Sequence, residues 1–202
     1  MTLDQLRPYL SSVLDPFVTS FDRLGLSPNG VSVLAFGMAI LAAGTFYLGG
    51  QDPRWYLTAA VFVFLNGWLD VVDGALARAQ GVSSAAGDLL DHVLDRYADV
   101  VILAGIAAGT GAYAIGFAAV TGVLLTSYLG TQAQAVGLDR VYGGAVGRAD
   151  RLAIIGVVAV IAVPFDGTLW TLSALEWLLV FLAVVGHMTA GQRFLYAWRA
   201  LQ

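Results

Sequence analysis

The chain has 202 residues, of which 58% are hydrophobic and only 12% are charged, with a net charge of −4 and a mean hydropathy of +0.77. Soluble globular domains are about 25% charged, so the composition excludes an ordinary soluble domain and predicts a polytopic α-helical membrane protein. The chain has no cysteine, which excludes disulfides and thiolate metal sites.

Residues 3–23 are predicted to form an amphipathic helix that lies on the membrane surface. Their apolar residues recur at spacings of three and four, which places them on one face of a helix. The sequence Ser27-Pro28-Asn29-Gly30 then interrupts the chain and starts the next helix. Ser27 suits the N-cap of that helix, and Pro28 suits its first position.

Six apolar segments follow, each close to the roughly 20 residues that a helix needs to cross a bilayer. The predicted spans are residues 31–49, 55–78, 88–109, 112–136, 151–164 and 168–191. The fifth span is short, and we expect its helix to begin inside the preceding loop. Because the connections are short, residues 1–202 are predicted to form one domain. It would comprise a juxtamembrane helix within residues 1–27 and a six-helix bundle over residues 28–202.

The basic residues, all of them arginine, predict how the bundle is oriented, because such residues collect on the cytoplasmic side. With six spans, Arg54 lies on one side alone, and Arg96 lies within the third span. The arginines of the other side are Arg7, Arg23, Arg78, Arg140, Arg148, Arg151, Arg193 and Arg199. Both chain termini and the aspartate-rich ends of the second and third spans are therefore expected to face the cytoplasm.

Four aspartates lie at fixed spacing in the second and third predicted spans. Asp70 and Asp73 share one face of their helix, and Asp91 and Asp95 share one face of the next. The short polar turn at residues 80–84 makes the two helices antiparallel neighbours, so the four carboxylates can converge. A charged side chain at mid-bilayer costs roughly 2.5–3.5 kcal/mol, and carboxylate oxygens are ligands of hard divalent cations. The cluster therefore predicts a metal site, in which two ions roughly 4 Å apart would fit.

Small residues and an arginine accompany these acids. Gly74 removes a side chain where a ligand could approach the helix closely, and Ala77 is small for the same reason. Gly87 either does the same at the start of the third span or permits the turn. Arg78 is well placed to meet phosphate oxygens.

The complete pattern, Asp-x2-Asp-Gly-x2-Ala-Arg-x8-Gly-x3-Asp-x3-Asp, resembles the signature of the CDP-alcohol phosphotransferase family. The positions that match are Asp70, Asp73, Gly74, Ala77, Arg78, Gly87, Asp91 and Asp95. Residues 26–29 resemble the family's turn before the first span, and residues 189–193 resemble its C-terminal end. The resemblance therefore covers nearly the whole chain.

The resemblance implies an enzyme that cleaves the pyrophosphate of a CDP-linked lipid, releases CMP and passes the phospholipid moiety to an alcohol. It implies that Asp70, Asp73 and Asp91 bind two divalent ions, Mg²⁺ or Mn²⁺. Asp95 would join the second ion and act as general base, so Asp91 and Asp95 are the predicted catalytic residues. The residues implied to hold the CDP moiety are Asp70, Gly74, Ala77, Arg78 and Gly87. The implied partners are the lipid bilayer and a second copy of the chain in a homodimer, with no nucleic acid.

The acceptor alcohol is less clearly indicated. Residues 147–152 resemble a segment of the inositol-phosphate-using branch, which implies that Arg148, Arg151 and Arg193 bind a phosphate of the acceptor. We expect a phosphorylated polyol, either inositol phosphate or glycerol phosphate. The presence of Arg148 and Arg151 is explained equally well if they set the membrane topology or contact lipid head groups.

One departure from that branch keeps the acceptor open. The branch typically carries basic residues after a Ser-Tyr pair in the fourth span, whereas Ser127-Tyr128 is followed here by neutral residues, including Gln132 and Gln134. Either the acceptor differs, for example glycerol phosphate, or Gln132 and Gln134 bind its hydroxyl groups. The alternative to a phosphorylated polyol is serine or another non-phosphorylated alcohol. The lipid donor is either CDP-diacylglycerol or CDP-archaeol.

Functions of other classes explain the sequence less well. A membrane transporter with an acidic ion site would predict broken helices in related halves, and no internal repeat is visible. A prenyl-diphosphate enzyme would show Asp-Asp-x-x-Asp runs, which do not occur. An inactive family member is disfavoured because all four acids are present. Outside the motif, Asp88, His92, Asp99 and His187 are expected to have structural roles.

Overall fold

The computed structural model describes residues 7–139, 144, 146–165 and 167–202, with side chains from residue 13 onward. Residues 3–6 of the predicted surface helix and Arg140 lie outside these ranges. The described part of the chain is all-helical apart from an isolated β-bridge between Leu169 and Leu172. Its helices are α1 (Arg7–Arg23), α2 (Pro28–Gly49), α3 (Trp55–Gln80), α4 (Ala85–Thr110), α5 (Tyr113–Ala135), α6 (Arg148–Ala162) and α7 (Ala174–Ala200).

Four of the described helices, α2, α3, α5 and α7, are long and apolar enough to cross a bilayer. Helix α4 is as long as α3 but carries the acids Asp88, Asp91, Asp95 and Asp99. Helix α6 has 15 residues and is therefore only about 22 Å long. The first five predicted spans match α2 to α6 within three residues at each end, and α6 begins inside the preceding loop, as expected. The number of membrane crossings, predicted to be six, stays a prediction.

The predicted start of the last span was wrong, and its helix runs beyond the predicted end of the span. Helix α7 begins at Ala174, not at residue 168, because Ser173 caps it and exchanges hydrogen bonds with Glu176. The apolar residues before it form a turn, in which Trp170 and Thr171 have positive φ angles of 49° and 74°. At the other end the helix continues to Ala200. Hydropathy predicts which part of a helix lies in the lipid. The helix itself continues as far as its backbone hydrogen bonds do.

Local signals set the ends of the helices that carry the acids. Ser27 caps α2 by accepting a 3.2 Å hydrogen bond from the Gly30 amide, as predicted. Gly81 ends α3 with a φ of 65°, a conformation that glycine adopts without strain. Ser84 then caps α4 by accepting a 3.1 Å hydrogen bond from the Gly87 amide. This turn reverses the chain between α3 and α4. The prediction that the two helices pack against each other as neighbours was wrong, because each of them packs against α2 instead.

Small residues bring the helices together. Helix α2 packs against α3 and α4, α5 packs against α7, and α6 packs against α3. At Gly105 of α4, an added Cβ would lie 2.5 Å from the Cα of Ala43 in α2, so glycine is required there. At Gly186 of α7, an added Cβ would lie 2.7 Å from the carbonyl carbon of Gly122 in α5. Such contacts let helix backbones approach closely.

Candidate functional site

The four motif acids line one small cavity between α2, α3, α4 and the start of α6. One carboxylate oxygen each from Asp70, Asp91 and Asp95 lies within 4.8 Å of the other two. The residues that line the cavity are Ser32, Ala35, Phe36, Asn66, Asp70, Asp73, Asp91, Leu94, Asp95, Ala98 and Arg148. The convergence expected from the sequence spacing is therefore present.

Asp73 faces the same cavity but has a different environment. Its side chain is buried, and the Ser32 hydroxyl donates a 2.6 Å hydrogen bond to its Oδ2 atom. Asp73 is not one of the three acids whose oxygens cluster. Helix α2 therefore contacts the motif directly through Ser32, which orients this carboxylate.

Arg148, which was predicted to bind the acceptor phosphate, lies among the acids. Its Nη1 atom donates to Asp70 Oδ1 and its Nη2 atom to Asp95 Oδ1, both at 2.8 Å. Its Nε atom is buried and has no hydrogen-bond partner among the described residues. The guanidinium neutralises part of the negative charge of the cluster and joins α6 to both α3 and α4.

The other two arginines assigned to the acceptor are placed differently. Arg151 is buried and donates a 2.7 Å hydrogen bond to Asp99, which also lies 3.5 Å from Arg96. Arg193 donates a 2.5 Å hydrogen bond to the backbone carbonyl of Thr126 in α5. Neither Arg151 nor Arg193 is among the described residues that line the cavity.

Of the residues assigned to the CDP moiety, only Asp70 lines the cavity among the described residues. Gly74, Ala77 and Arg78 follow it towards the end of α3, and Gly87 lies in the first turn of α4. An added Cβ at Gly74 would meet only Arg78 Nη1, at 3.5 Å, so packing within the described chain does not require glycine there. Arg78 is exposed and Ala77 half-buried. An added Cβ at Gly87 would lie 3.3 Å from Ser84 Oγ and 3.4 Å from Asn29 Oδ1. Gly87 therefore also serves the turn, the second role considered for it.

Two polar residues of the cavity, Ser32 and Asn66, were not predicted from the sequence. Asn66 is only 1% exposed and donates a 2.9 Å hydrogen bond to the Ala35 carbonyl. Its Oδ1 atom has no hydrogen-bond partner in the described structure. Asn66 precedes Asp70 by four residues and so shares its helix face. A polar residue at that spacing in an apolar helix was the available signal.

The histidines and Asp88 lie outside the cavity lining. His92 Nδ1 lies 2.8 Å from the Asp88 carbonyl oxygen, one turn earlier in α4. His187 Nε2 lies 3.5 Å from Thr121 Oγ1, at the contact between α5 and α7.

Comparison with known proteins decides the family. Residues 26–189 match the sequence model of the CDP-alcohol phosphatidyltransferases. The chain belongs to this family. The resemblance found in the motif is thereby confirmed, and so is the enzyme class, a transferase of phospholipid biosynthesis.

Relatives from archaea and bacteria match nearly the full chain. The archaetidylinositol phosphate synthase of Methanothermobacter thermautotrophicus is 32% identical over 202 residues, which cover 99% of this chain and 96% of that protein. The phosphatidylinositol phosphate synthase of Mycobacteroides abscessus is 30% identical over 194 residues, covering 93% of this chain and 84% of that protein.

Solved structures share the fold. The phosphatidylinositol phosphate synthase of Mycobacterium tuberculosis with CDP-DAG bound superposes with a TM-score of 0.78 at 26% identity, covering 93% of this chain and 94% of that chain. A second structure of the same enzyme, in complex with manganese and citrate, also has a TM-score of 0.78 and covers 92% of this chain and 88% of that chain.

The cavity of this transferase fits a divalent cation. Three carboxylate oxygens converge within 4.8 Å, and carboxylates are the ligands that Mg²⁺ and Mn²⁺ prefer. The Oδ1 atom of Asn66, which has no hydrogen-bond partner in the described structure, is a neutral oxygen ligand available to such a cation. Apart from Arg148, the residues lining the cavity carry no positive charge, so a cation would balance the four acids.

Proposed function

We propose that this enzyme transfers the phospholipid moiety of a CDP-linked lipid to a phosphorylated polyol, with inositol phosphate as the acceptor, and releases CMP. The observation that carries the proposal is the convergence of the four family acids and Arg148 on one cavity. The acids suit a metal-bound diphosphate, and Arg148 supplies a cation for a second phosphate.

We assign the acids the roles that the family motif implies. Asp70, Asp73, Asp91 and Asp95 would hold two divalent ions, Mg²⁺ or Mn²⁺. When bound, such ions neutralise a diphosphate and stabilise the leaving group. Ser32 keeps the Asp73 carboxylate oriented through its hydrogen bond. Gly74, Ala77, Arg78 and Gly87 would contact the CDP moiety from the surface beside the cavity.

Asp95 is the proposed general base, with Asp91 beside it. The acceptor hydroxyl oxygen forms a bond to the phosphorus of the lipid phosphate. The bond from that phosphorus to the bridging oxygen breaks, and CMP leaves with the electron pair. Asp95 takes the hydroxyl proton, since a carboxylate within hydrogen-bond reach of the attacking oxygen acts as base.

The names of the relatives support inositol phosphate as the acceptor, and the position of Arg148 supports a phosphorylated acceptor over serine. The relatives from M. thermautotrophicus and M. abscessus are named as inositol phosphate synthases. Arg148 lines the cavity and can meet an acceptor phosphate. Arg193 remains a second candidate for that phosphate, whereas Arg151 is less suitable because it is buried against Asp99. The donor is CDP-diacylglycerol or CDP-archaeol.

The membrane arrangement is part of the proposal. Helices α2 to α7 would span the bilayer as one domain, and α1 would lie on its surface. The arginine distribution favours a cytoplasmic cavity and cytoplasmic termini. The enzyme would act as a homodimer.

The test is CMP release by the purified protein in lipid nanodiscs. Each CDP-lipid would be combined with inositol phosphate, glycerol phosphate, serine or inositol, in Mg²⁺, Mn²⁺ or EDTA. We expect metal-dependent release with inositol phosphate that Asp95→Asn reduces by about 10²- to 10⁴-fold. Asp139→Asn removes an exposed carboxylate and serves as the matched control. Release with serine but not inositol phosphate would replace the proposed acceptor, and no release with any acceptor would contradict the proposed reaction.

A further inference from the structure

Two arginines of α6 pair with two aspartates of α4 at matching spacing. Arg148 contacts Asp95 at 2.8 Å, and Arg151 contacts Asp99 at 2.7 Å. The arginines are three residues apart and the aspartates four, so each pair lies about one helical turn from the other. We call these two ion pairs the arginine ladder.

The two pairs of the ladder differ in access. In the Arg151–Asp99 pair, the side chains are 7% and 2% exposed, and Asp99 has a second cationic neighbour in Arg96. In the Arg148–Asp95 pair, the side chains are 15% and 17% exposed, and Arg148 lines the cavity. A ligand entering the cavity therefore reaches Arg148 and not Arg151.

Arg148 also pairs with two of the acids that a cation would need. It contacts Oδ1 of Asp70 and Oδ1 of Asp95 at once, and both residues belong to the convergent triad. A divalent ion at the triad and a guanidinium bridging two of its members compete for the same charge. Two positive groups held at the same two carboxylates repel each other.

We propose that Arg148 is an exchangeable counter-ion of this site. Entry of the divalent cation displaces its guanidinium from Asp70 and Asp95, and the freed guanidinium then binds the phosphate of the acceptor. Arg151 and Asp99 are positioning residues, because their buried pair keeps the start of α6 beside α4 during the exchange. This inference rests on the proposed function. It adds an order of binding, in which the cation binds first and so frees Arg148 to bind the acceptor.

The exchange predicts that cation and acceptor phosphate bind cooperatively. An acceptor that holds Arg148 away from the acids removes the group that competes with the cation, so the acceptor raises the affinity for the cation. By linkage, the cation raises the affinity for the acceptor by the same factor. Loss of Arg148 would remove both the competition and the coupling.

The test measures Mn²⁺ affinity of the full chain in nanodiscs by electron paramagnetic resonance, which counts free Mn²⁺ without catalysis. Arg148→Gln is expected to bind Mn²⁺ about tenfold more tightly than wild type, since charge-assisted hydrogen bonds no longer oppose the ion. Arg54→Gln is the matched control, because it removes an exposed arginine at the opposite end of α3. Inositol phosphate should tighten Mn²⁺ binding by wild type and leave Arg148→Gln unchanged.

Equal Mn²⁺ affinity of Arg148→Gln and Arg54→Gln would overturn the exchange. Thermal melting in EDTA and in Mn²⁺ checks folding: Arg148→Gln should melt lower in EDTA and recover in Mn²⁺, and failure to recover would also count against the exchange. For the positioning pair, Arg151→Lys should raise KM for inositol phosphate with little change in kcat or Mn²⁺ affinity, and an unchanged KM would remove that role.

These results are separable from the proposed function. If wild type releases CMP but Arg148→Gln gains no Mn²⁺ affinity, only the exchange fails. If Arg148→Gln gains affinity while wild type releases no CMP with any acceptor, the transfer reaction fails and the competition at the carboxylates stands.

Discussion

Ser32 donates a 2.6 Å hydrogen bond to Asp73 across the contact between α2 and α3, and both side chains are buried. Ser32 belongs to the first turns of α2 and Asp73 to the family motif, 41 residues later in the chain. The hydrogen bond therefore connects the N-terminal part of α2 to the acidic cavity. A hydroxyl is the only polar partner that the structure gives Asp73 from another described helix.

Ser32→Ala should destabilise the protein by about 1.5–3 kcal/mol, because it leaves a buried carboxylate without its hydrogen-bond donor. Ser83→Ala removes the same atom from an exposed residue of the α3–α4 turn and should have little effect. Thermal melting of both variants in EDTA measures the difference. Equal melting temperatures would show that Asp73 does not depend on Ser32.

Asp99→Asn should destabilise the protein by about 3–5 kcal/mol, because it leaves Arg151 as a buried and incompletely compensated charge. Asp15→Asn alters an exposed aspartate of α1 and provides the control. The measurement is the loss of folded protein on heating in detergent. A variant as stable as Asp15→Asn would mean that Arg96 and Arg151 find other partners.

Wild-type protein should bind two Mn²⁺ ions per chain, and Asp91→Asn should weaken binding by at least about tenfold, because affinity for hard cations depends on the number of charged ligands. Equilibrium dialysis with metal analysis gives both the number of ions and the affinity. Asp139→Asn, which alters an exposed residue, should bind like wild type. A single ion per chain would contradict the two-metal assignment.

Gly186→Ala should lower the melting temperature, because its Cβ would lie 2.7 Å from the backbone of Gly122 and force α5 and α7 apart. Overpacking of this kind costs about 1–3 kcal/mol. Gly44→Ala is the matched control, since an added Cβ there meets nothing within 4 Å. Its melting temperature should stay the same or rise, as alanine favours helices over glycine. If both variants melt together, the close contact does not contribute to stability.

Much of the site was predictable because its signals are local. The spacings of Asp70, Asp73, Asp91 and Asp95 place each pair on one helix face. The turn at residues 80–84 reverses the chain between the two helices, but each of them packs against α2 rather than against the other. The start of α2 was equally predictable, since an N-cap serine followed by proline acts within one turn. Long apolar segments predicted α2 to α5 within three residues, because burial in lipid requires a minimum length.

The partners of the charged side chains were decided only by the tertiary structure. The sequence by itself grouped Arg148 with Arg151, but their guanidinium groups meet different acids, Asp70 and Asp95 for one and Asp99 for the other. Asp73 likewise has a partner, Ser32, that no local pattern indicates. An arginine side chain can reach several acids, and which one it meets depends on how deeply α6 packs beside α3 and α4. Residue spacing determines which side chains share a helix face, whereas only the packing of helices far apart in sequence determines what that face meets.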